Sequence, residues 1–245
     1  MIYFLSDAHL GLLSISDPRE HEIKLVRFLD SIKQNAEEVY LLGDMFDFWF
    51  EYKKVIPQGF TRFLGKLAEL TDAGIPVHFF TGNHDLWTFG YLEKEIGLIV
   101  HRRPELVELG GKMFFLAHGD GLNDTGKSFK LLRKIFHSRT CQKLFSYFPP
   151  RLGMTFGQLW SKNNREKHST YDNVYLGEDK EILIQFAKQY SEHTAVDYFL
   201  FGHRHLMFDL QLKNKSRVVL LGDWITQYSY AVFDGKELTV EQFLS

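Results

Sequence analysis

Seven side chains of the types that bind divalent cations, Asp7, His9, Asp44, Asn83, His118, His203 and His205, each stand shortly after an apolar run. Seven nitrogen and oxygen donors are too many for one ion, but they suit two ions about 3.5–4 Å apart that share a carboxylate. Asp44 is the natural bridge. Asp7, His9 and His205 would complete one ion; Asn83, His118 and His203 would complete the other. Oxygen donors mixed with imidazoles suit manganese, iron or zinc, whereas magnesium tolerates so many histidines poorly. A lone Asp or His after a strand is ordinarily a turn residue or a helix cap. Here Gly43-Asp44, Gly82-Asn83-His84, His118-Gly119 and Gly202-His203 repeat one grammar, a glycine beside the donor where the backbone must turn tightly. Chance does not produce that series, and the spacing predicts a two-metal centre.

The elements that must position these donors are six short runs: 2–5, 39–42, 77–80, 113–116, 198–201 and 218–221. All are aliphatic or aromatic without polar alternation, as strands buried on both faces are. The last of them leads to Asp223. Ligands gathered beyond carboxyl ends are the arrangement of open α/β sheets. Leu25, Phe28, Leu29 and Ile32 recur at helical spacing over about 18–35, with Asp17-Pro18 as cap and first turn. Phe63, Leu64, Leu67 and Leu70 mark a second helix over about 59–72, stopped by Gly74. A short helix through Trp87 to Ile96, a hairpin at Gly110-Gly111, a helix over about 178–190 and a final hairpin at Asp234-Gly235 complete the core. The reading is an α/β core of residues 1–122 and 174–245, interrupted by a helical cap at 123–173. Within that insertion, helical spacing covers 129–136, 141–148 and 154–162, the last set apart by Pro149-Pro150.

The 245-residue chain has an ordinary 44% hydrophobic and 24% charged content but 23 Phe. A single cysteine, Cys141, rules out an intrachain disulfide and a thiolate cluster. No apolar stretch approaches the roughly 20 residues of a membrane span, and no leader is expected before the first strand. The net charge of −2 hides an asymmetry: residues 127–167 hold ten Lys or Arg and one acid, Glu166. Phe129, Leu132, Ile135, Phe136, Leu144, Phe145, Phe148, Phe156 and Trp160 are interleaved with them. That mixture predicts contact with an anionic, lipid-bearing partner or membrane surface.

The motifs Asp7-Ala8-His9, Gly43-Asp44-Met45-Phe46-Asp47, Gly82-Asn83-His84-Asp85, His118-Gly119 and Gly202-His203-Arg204-His205 resemble those of the calcineurin-like metallophosphoesterases. The resemblance spans residues 7 to 205. It implies a four-layer αββα sandwich and hydrolysis at phosphorus, with two metal ions making hydroxide available near neutral pH. His84 would contact a phosphoryl oxygen or protonate the leaving group. Asp85 would either orient that ring or cap the helix that follows.

Within this family the chain looks like the UDP-2,3-diacylglucosamine hydrolases of lipid A biosynthesis. Ser6-Asp7-Ala8-His9-Leu10, Gly43 through Trp49 and His118-Gly119-Asp120-Gly121-Leu122 carry that likeness. It implies cleavage of an acylated UDP-sugar at the α-phosphorus to UMP and 2,3-diacylglucosamine 1-phosphate, with manganese as the favoured metal. It also implies a cytoplasmic enzyme held peripherally at the inner membrane, with no nucleic-acid partner. Asn83, His84, Asp124, Ser161, Lys162, Asn164 and Arg165 are the implied substrate contacts. His84 stands where a well-known branch of those hydrolases has Arg, so a nucleotide phosphodiesterase or phosphatase of other specificity is the alternative.

Overall fold

The six apolar runs lie in strands whose alternate residues enter different cores, which explains the lack of polar alternation. The computed structural model describes residues 1–123, 126–172 and 174–244, with side chains for all of these except 127–129 and 164–172. One sheet contains β1 (Ile2–Leu5), β2 (Glu38–Leu41), β3 (Val77–Phe80), β4 (Ile99–His101), β10 (Ser229–Phe233) and β11 (Leu238–Gln242), in the order β11-β10-β1-β2-β3-β4. The other contains β5 (Glu105–Leu109), β6 (Lys112–Ala117), β7 (Tyr198–Phe201), β8 (Met207–Gln211) and β9 (Arg217–Leu221), in the order β5-β6-β7-β9-β8.

Phe4, Tyr40, Leu42 and Phe80 from the first sheet meet Phe114, Leu116, Tyr198, Leu200, Val219 and Leu221 from the second. Tyr3, Leu5, Val39, Leu41, Val77 and Phe79 face the other way. They pack on α1 (Pro18–Ile32) and α2 (Thr61–Asp72) through Leu25, Phe28, Leu29, Phe63 and Leu67. Phe115, Phe199, Phe201 and Val218 pack on α7 (Ile182–Ser191) through Leu183, Ile184 and Ala187. The layers are therefore α, β, β, α. β1 through β4 run parallel, as do β6, β7 and β9, so each sheet brings several carboxyl ends to a common rim. A four-residue strand suffices because its neighbours supply every ladder bond and both faces are dry.

Asp17 caps α1 by accepting from the Glu20 amide at 2.9 Å, and Pro18 occupies the first turn. The short helix α3 covers only Tyr91–Glu95. Between β6 and α7 lie α4 (Lys127–His137), α5 (Arg139–Phe145) and α6 (Pro150–Asp172). The third is longer than its apolar spacing predicts. Pro150 opens this helix instead of separating it, because proline at a first turn lacks only an N–H that would have no partner there. Gly153, Gly157 and Ser161, four residues apart, are buried along one edge of α6. A Cβ on Gly153 would stand 2.2 Å from Tyr52 Oη, and one on Gly157 2.4 Å from the Phe48 ring. Each helical glycine costs about 1 kcal/mol against alanine, offset here by backbone-close packing. The opposite surface stays bare: Leu144, Tyr147, Phe148, Leu152, Phe156 and Leu159 are all more than half exposed.

Candidate metal centre

The β1 and β2 loops lie side by side, with backbone bonds from Asp7 N to Gly43 O (3.1 Å), His9 N to Asp44 O (2.9 Å) and Leu10 N to Met45 O (2.9 Å). Gly202 N reaches His118 O, and Trp224 N reaches Asp7 O, so loops from both sheets are tied together. Asp7, His9, Asp44, His203 and His205 all adopt left-handed backbone, with φ between 44° and 68°. Such conformations in residues with side chains cost on the order of 1–3 kcal/mol each and concentrate at functional sites. Glycine makes room for them: a Cβ on Gly82 would meet Asp44 Oδ1 at 2.2 Å, and one on Gly202 would meet Asp7 Oδ2 at 2.5 Å.

Among the described residues, Asp7, His9 and His205 form one group whose donor atoms lie within metal-binding reach of one another. Asp44, His118 and His203 form a second. Asp44 Oδ1 accepts from the His84 amide at 2.8 Å, while Oδ2 lies 3.1 Å from His118 Nε2 and 3.8 Å from His9 Nε2. One carboxylate oxygen thus faces both groups. Asn83 Oδ1 stands 3.3 Å from His118 Nε2 and joins the second. His84 was assigned no metal, yet it falls within the same reach of His9 and Asp44, its ring edge-on to His9 at 4.9 Å.

The chemistry of this set fits a cation pair. Asp7 Oδ2 accepts from His203 N at 2.9 Å. Oδ1 is buried, has no hydrogen-bond donor among the described residues, and lies 3.5 Å from Nε2 of both His9 and His205. A buried carboxylate oxygen facing imidazole lone pairs is costly unless a cation joins them. The far ring nitrogens are held from behind. His118 Nδ1 donates to Leu42 O at 2.8 Å, His9 Nδ1 lies 3.6 Å from Asp47 Oδ1, and His205 Nδ1 lies 3.7 Å from Asp223 Oδ2. Partners of this kind fix the tautomer and turn the other nitrogen toward a metal.

Titration follows the same crowding. Burial raises the Asp7 carboxyl above its ordinary value, outweighing the pull of His205 and His118. Burial acts the same way on Asp44, yet the imidazoles of His118, His84 and His9 prevail and hold it well below the carboxylate range. His203 is pushed down to about 3 by burial and then by the neighbouring His118. These opposed shifts mark a site where charge is concentrated.

Asp85 neither orients the His84 ring nor caps the following helix. Its buried carboxylate accepts from Gly82 N at 2.7 Å, Met45 N at 2.8 Å and Phe46 N at 3.4 Å, fastening the β2 and β3 loops together. His84 Nδ1 instead donates to Asp47 O at 2.8 Å, leaving Nε2 as the ring nitrogen not engaged by that carbonyl. Ser161 is buried and donates to Asp47 Oδ1 at 2.9 Å, whereas Lys162 is exposed. Asp124 lies outside the described residues, and so do the side chains of Asn164 and Arg165.

Three contributors are given no role by the sequence reading. Asp47 is the second acid of Gly43-Asp44-Met45-Phe46-Asp47, and Asp223 ends the sixth apolar run; those positions were the available signals. Glu181 gave none. It is 1% exposed and grips Arg204 at 3.0 and 3.1 Å, locking the residue between His203 and His205.

Next to Asn83 and His84 opens a mainly apolar pocket. Phe48, Trp49 and Trp87 line it from the core; Leu132, Phe136 and Trp160 line it from α4 and α6. Trp87 Nε1 donates to Phe136 O at 2.9 Å, one of the polar ties between the two parts.

The family profile described as Calcineurin-like phosphoesterase matches residues 1–207. A UDP-2,3-diacylglucosamine hydrolase from Porphyromonas gingivalis is 46% identical over 98% of this chain and 96% of its own length. Proteins of the same name from Haemophilus influenzae and Neisseria gonorrhoeae are each 28% identical, over 93% of this chain and 92% and 91% of their own lengths.

Proposed function

Since the chain belongs to the calcineurin-like phosphoesterase family, we propose that it hydrolyses the diphosphate of UDP-2,3-diacylglucosamine at the α-phosphorus. The products are UMP and 2,3-diacylglucosamine 1-phosphate. Family membership makes the protein a metal-dependent hydrolase; the substrate is the proposal, and it is the name carried by relatives matched over nearly their whole length.

Asp7, His9 and His205 would hold one divalent ion and Asn83, His118 and His203 a second, with Asp44 facing both groups and manganese the proposed metal. Such ions would supply neutralising charge at the phosphoryl oxygens and would make water more acidic. Around them the chain's own groups have separate tasks. His84 Nε2 is placed to contact a phosphoryl oxygen or the departing phosphate, its ring kept in place by the Nδ1 bond to Asp47 O. Asp85 keeps the Asp44 and Asn83 loops in register. Asp47 and Asp223 orient His9 and His205 from behind.

The observation that carries the substrate reading is the aromatic pocket opening directly on Asn83 and His84. A soluble nucleotide needs no such wall, while acyl chains do. The described helices α4 to α6 act as a cap over it. Their exposed aromatics and excess Lys and Arg suit the anionic surface from which a lipid substrate must be drawn, and no described helix is long and apolar enough to cross a membrane.

The test is mass spectrometry of products formed from UDP-2,3-diacylglucosamine with Mn²⁺ in ¹⁸O-labelled water. Label in UMP supports attack at the α-phosphorus; label only in the lipid phosphate moves it to the other phosphorus. Equal turnover of UDP-glucose and the acylated substrate would overturn the lipid reading.

A further inference from the structure

We infer that the nucleoside half of the substrate is held in a second pocket, across the 119–122 turn from the aromatic one, with Lys180 as its cationic contact. This rests on the substrate being a nucleotide-linked lipid. The second pocket, about 640 Å³ with its open mouth included, begins at His203 and is walled by Leu122, Leu176, Ile182 and Leu183. It shares no lining residue with the aromatic pocket. Asp120 lines the aromatic pocket, while Gly119, Gly121 and Leu122 line this one, so a single turn divides the two.

A diphosphate seated at the donor cluster must send its two substituents to different places. The aromatic pocket takes the acylated sugar and leaves the pocket at His203 for the other end. Its chemistry suits a pyrimidine nucleoside. Leu176 and Ile182 remain 39% and 49% exposed, offering an aliphatic surface to the flat faces of a base. Arg204 is spoken for, its guanidinium gripped by buried Glu181. The Lys180 ammonium forms no ion pair with any described residue, so it is the charge this pocket can offer to a uracil carbonyl or a ribose oxygen. A third cavity, beside His118 with Arg102 and Arg103 in its wall, is the competing location. It shares Leu86, Asp120, Arg133 and His137 with the aromatic pocket but only Gly119 and Leu122 with the second, so it is mainly a flank of the aromatic one, and Arg103 tests it directly.

The experiment is calorimetric titration of UMP into the Mn²⁺-loaded full chain, together with inhibition by each product, for wild type, Lys180→Glu, Ile182→Asp and Arg103→Glu. The inference expects UMP to bind about tenfold more weakly to the Lys180 and Ile182 variants, the loss of one good contact. Inhibition by 2,3-diacylglucosamine 1-phosphate should be unchanged in both, which also shows that they fold. Loss of UMP affinity in Arg103→Glu alone overturns the inference, as does equal weakening of both products. UMP binding is read without turnover, so failure of the wild type to cleave UDP-2,3-diacylglucosamine counts against the proposed function and leaves this result separately readable.

Discussion

The Ser161 hydroxyl donates to the Asp47 carboxylate at 2.9 Å, joining the longest helix of the chain to the loop that carries Asp44. The same carboxylate oxygen lies 3.6 Å from His9, and the Asp47 carbonyl receives His84. Seating of α6 and alignment of two site imidazoles therefore share one residue. Asp47→Asn should weaken Mn²⁺ binding about 10- to 100-fold, the usual cost of losing a partner behind a ligand. Ser161→Ala should leave metal affinity alone and lower kcat/KM on the acylated substrate by about fivefold, roughly 1 kcal/mol. Titration calorimetry of Mn²⁺ beside steady-state kinetics separates the two.

Metal occupancy should be visible in stability. Mn²⁺ at about a hundred times its Kd should stabilise the fold by about 2.7 kcal/mol. Asp44→Ala, which removes the oxygen facing both groups, should abolish that gain and the activity together. Thermal unfolding with and without Mn²⁺ reads the first effect, and an unaltered rise in Tm for the variant would contradict the bridge.

The buried glycine edge of α6 gives a selective prediction. Gly157→Val would drive a side chain into the Phe48 ring and shift the helix outward. Turnover of the acylated substrate should fall about tenfold or more, the range of an overpacked contact, while bis-p-nitrophenyl phosphate, which needs no acyl pocket, is cleaved nearly as before. Parallel loss of both activities would mean that the helix also shapes the metal centre.

Charge reversal at Lys134, Lys143 and Arg151, all exposed on α4 to α6, should release the protein from anionic vesicles. Each basic residue near such a surface contributes about 1 kcal/mol. Sedimentation with phosphatidylglycerol vesicles, repeated at high salt and with neutral vesicles, checks it. Undiminished binding of the triple variant would remove the basic surface from the account.

Away from the centre, His78 and His101 share a ring-to-ring hydrogen bond of 2.9 Å. Glu38 faces His78 from β2 and Glu105 faces His101 from β5, while Tyr40 and Phe80 stack on the two rings. Burial lowers both imidazoles below their ordinary range, and His101 adds to the effect on His78. A base lowered on folding is neutral in the native state, so the unfolded chain takes up protons first. Stability should be complete above an unfolded imidazole pKa of about 6.5 and decline as pH falls below it. Urea unfolding at about pH 8 and about pH 5.5 should show this, with a smaller difference in His78→Gln.

The donors and the strands bearing them were legible because both are local: an apolar run, a glycine and a ligand occupy fewer than ten consecutive residues. The structure brings Asp7, His9 and His205 together on one side and Asp44, Asn83, His118 and His203 on the other, with His84 also within reach of His9 and Asp44. β4 and β8 were not foreseen; one is three residues long and the other alternates at an exposed edge, so neither makes an apolar run. The work of Asp47, Asp85, Asp223 and Glu181 was hidden for a different reason. Each contacts residues brought near by folding, and a carboxylate that grips a distant amide or guanidinium looks in sequence like any surface acid.

Gly153, Gly157 and Ser161 attach α6 by its least decorated edge. The seam depends on bareness, and bareness makes no demand on what the remaining circumference displays. The outward pattern of rings and cations can be rewritten residue by residue while the docking line and the chemistry beneath it stay as they are. In that sense the helix is an interchangeable jaw on a fixed vice, and a change of grip asks nothing of the anvil.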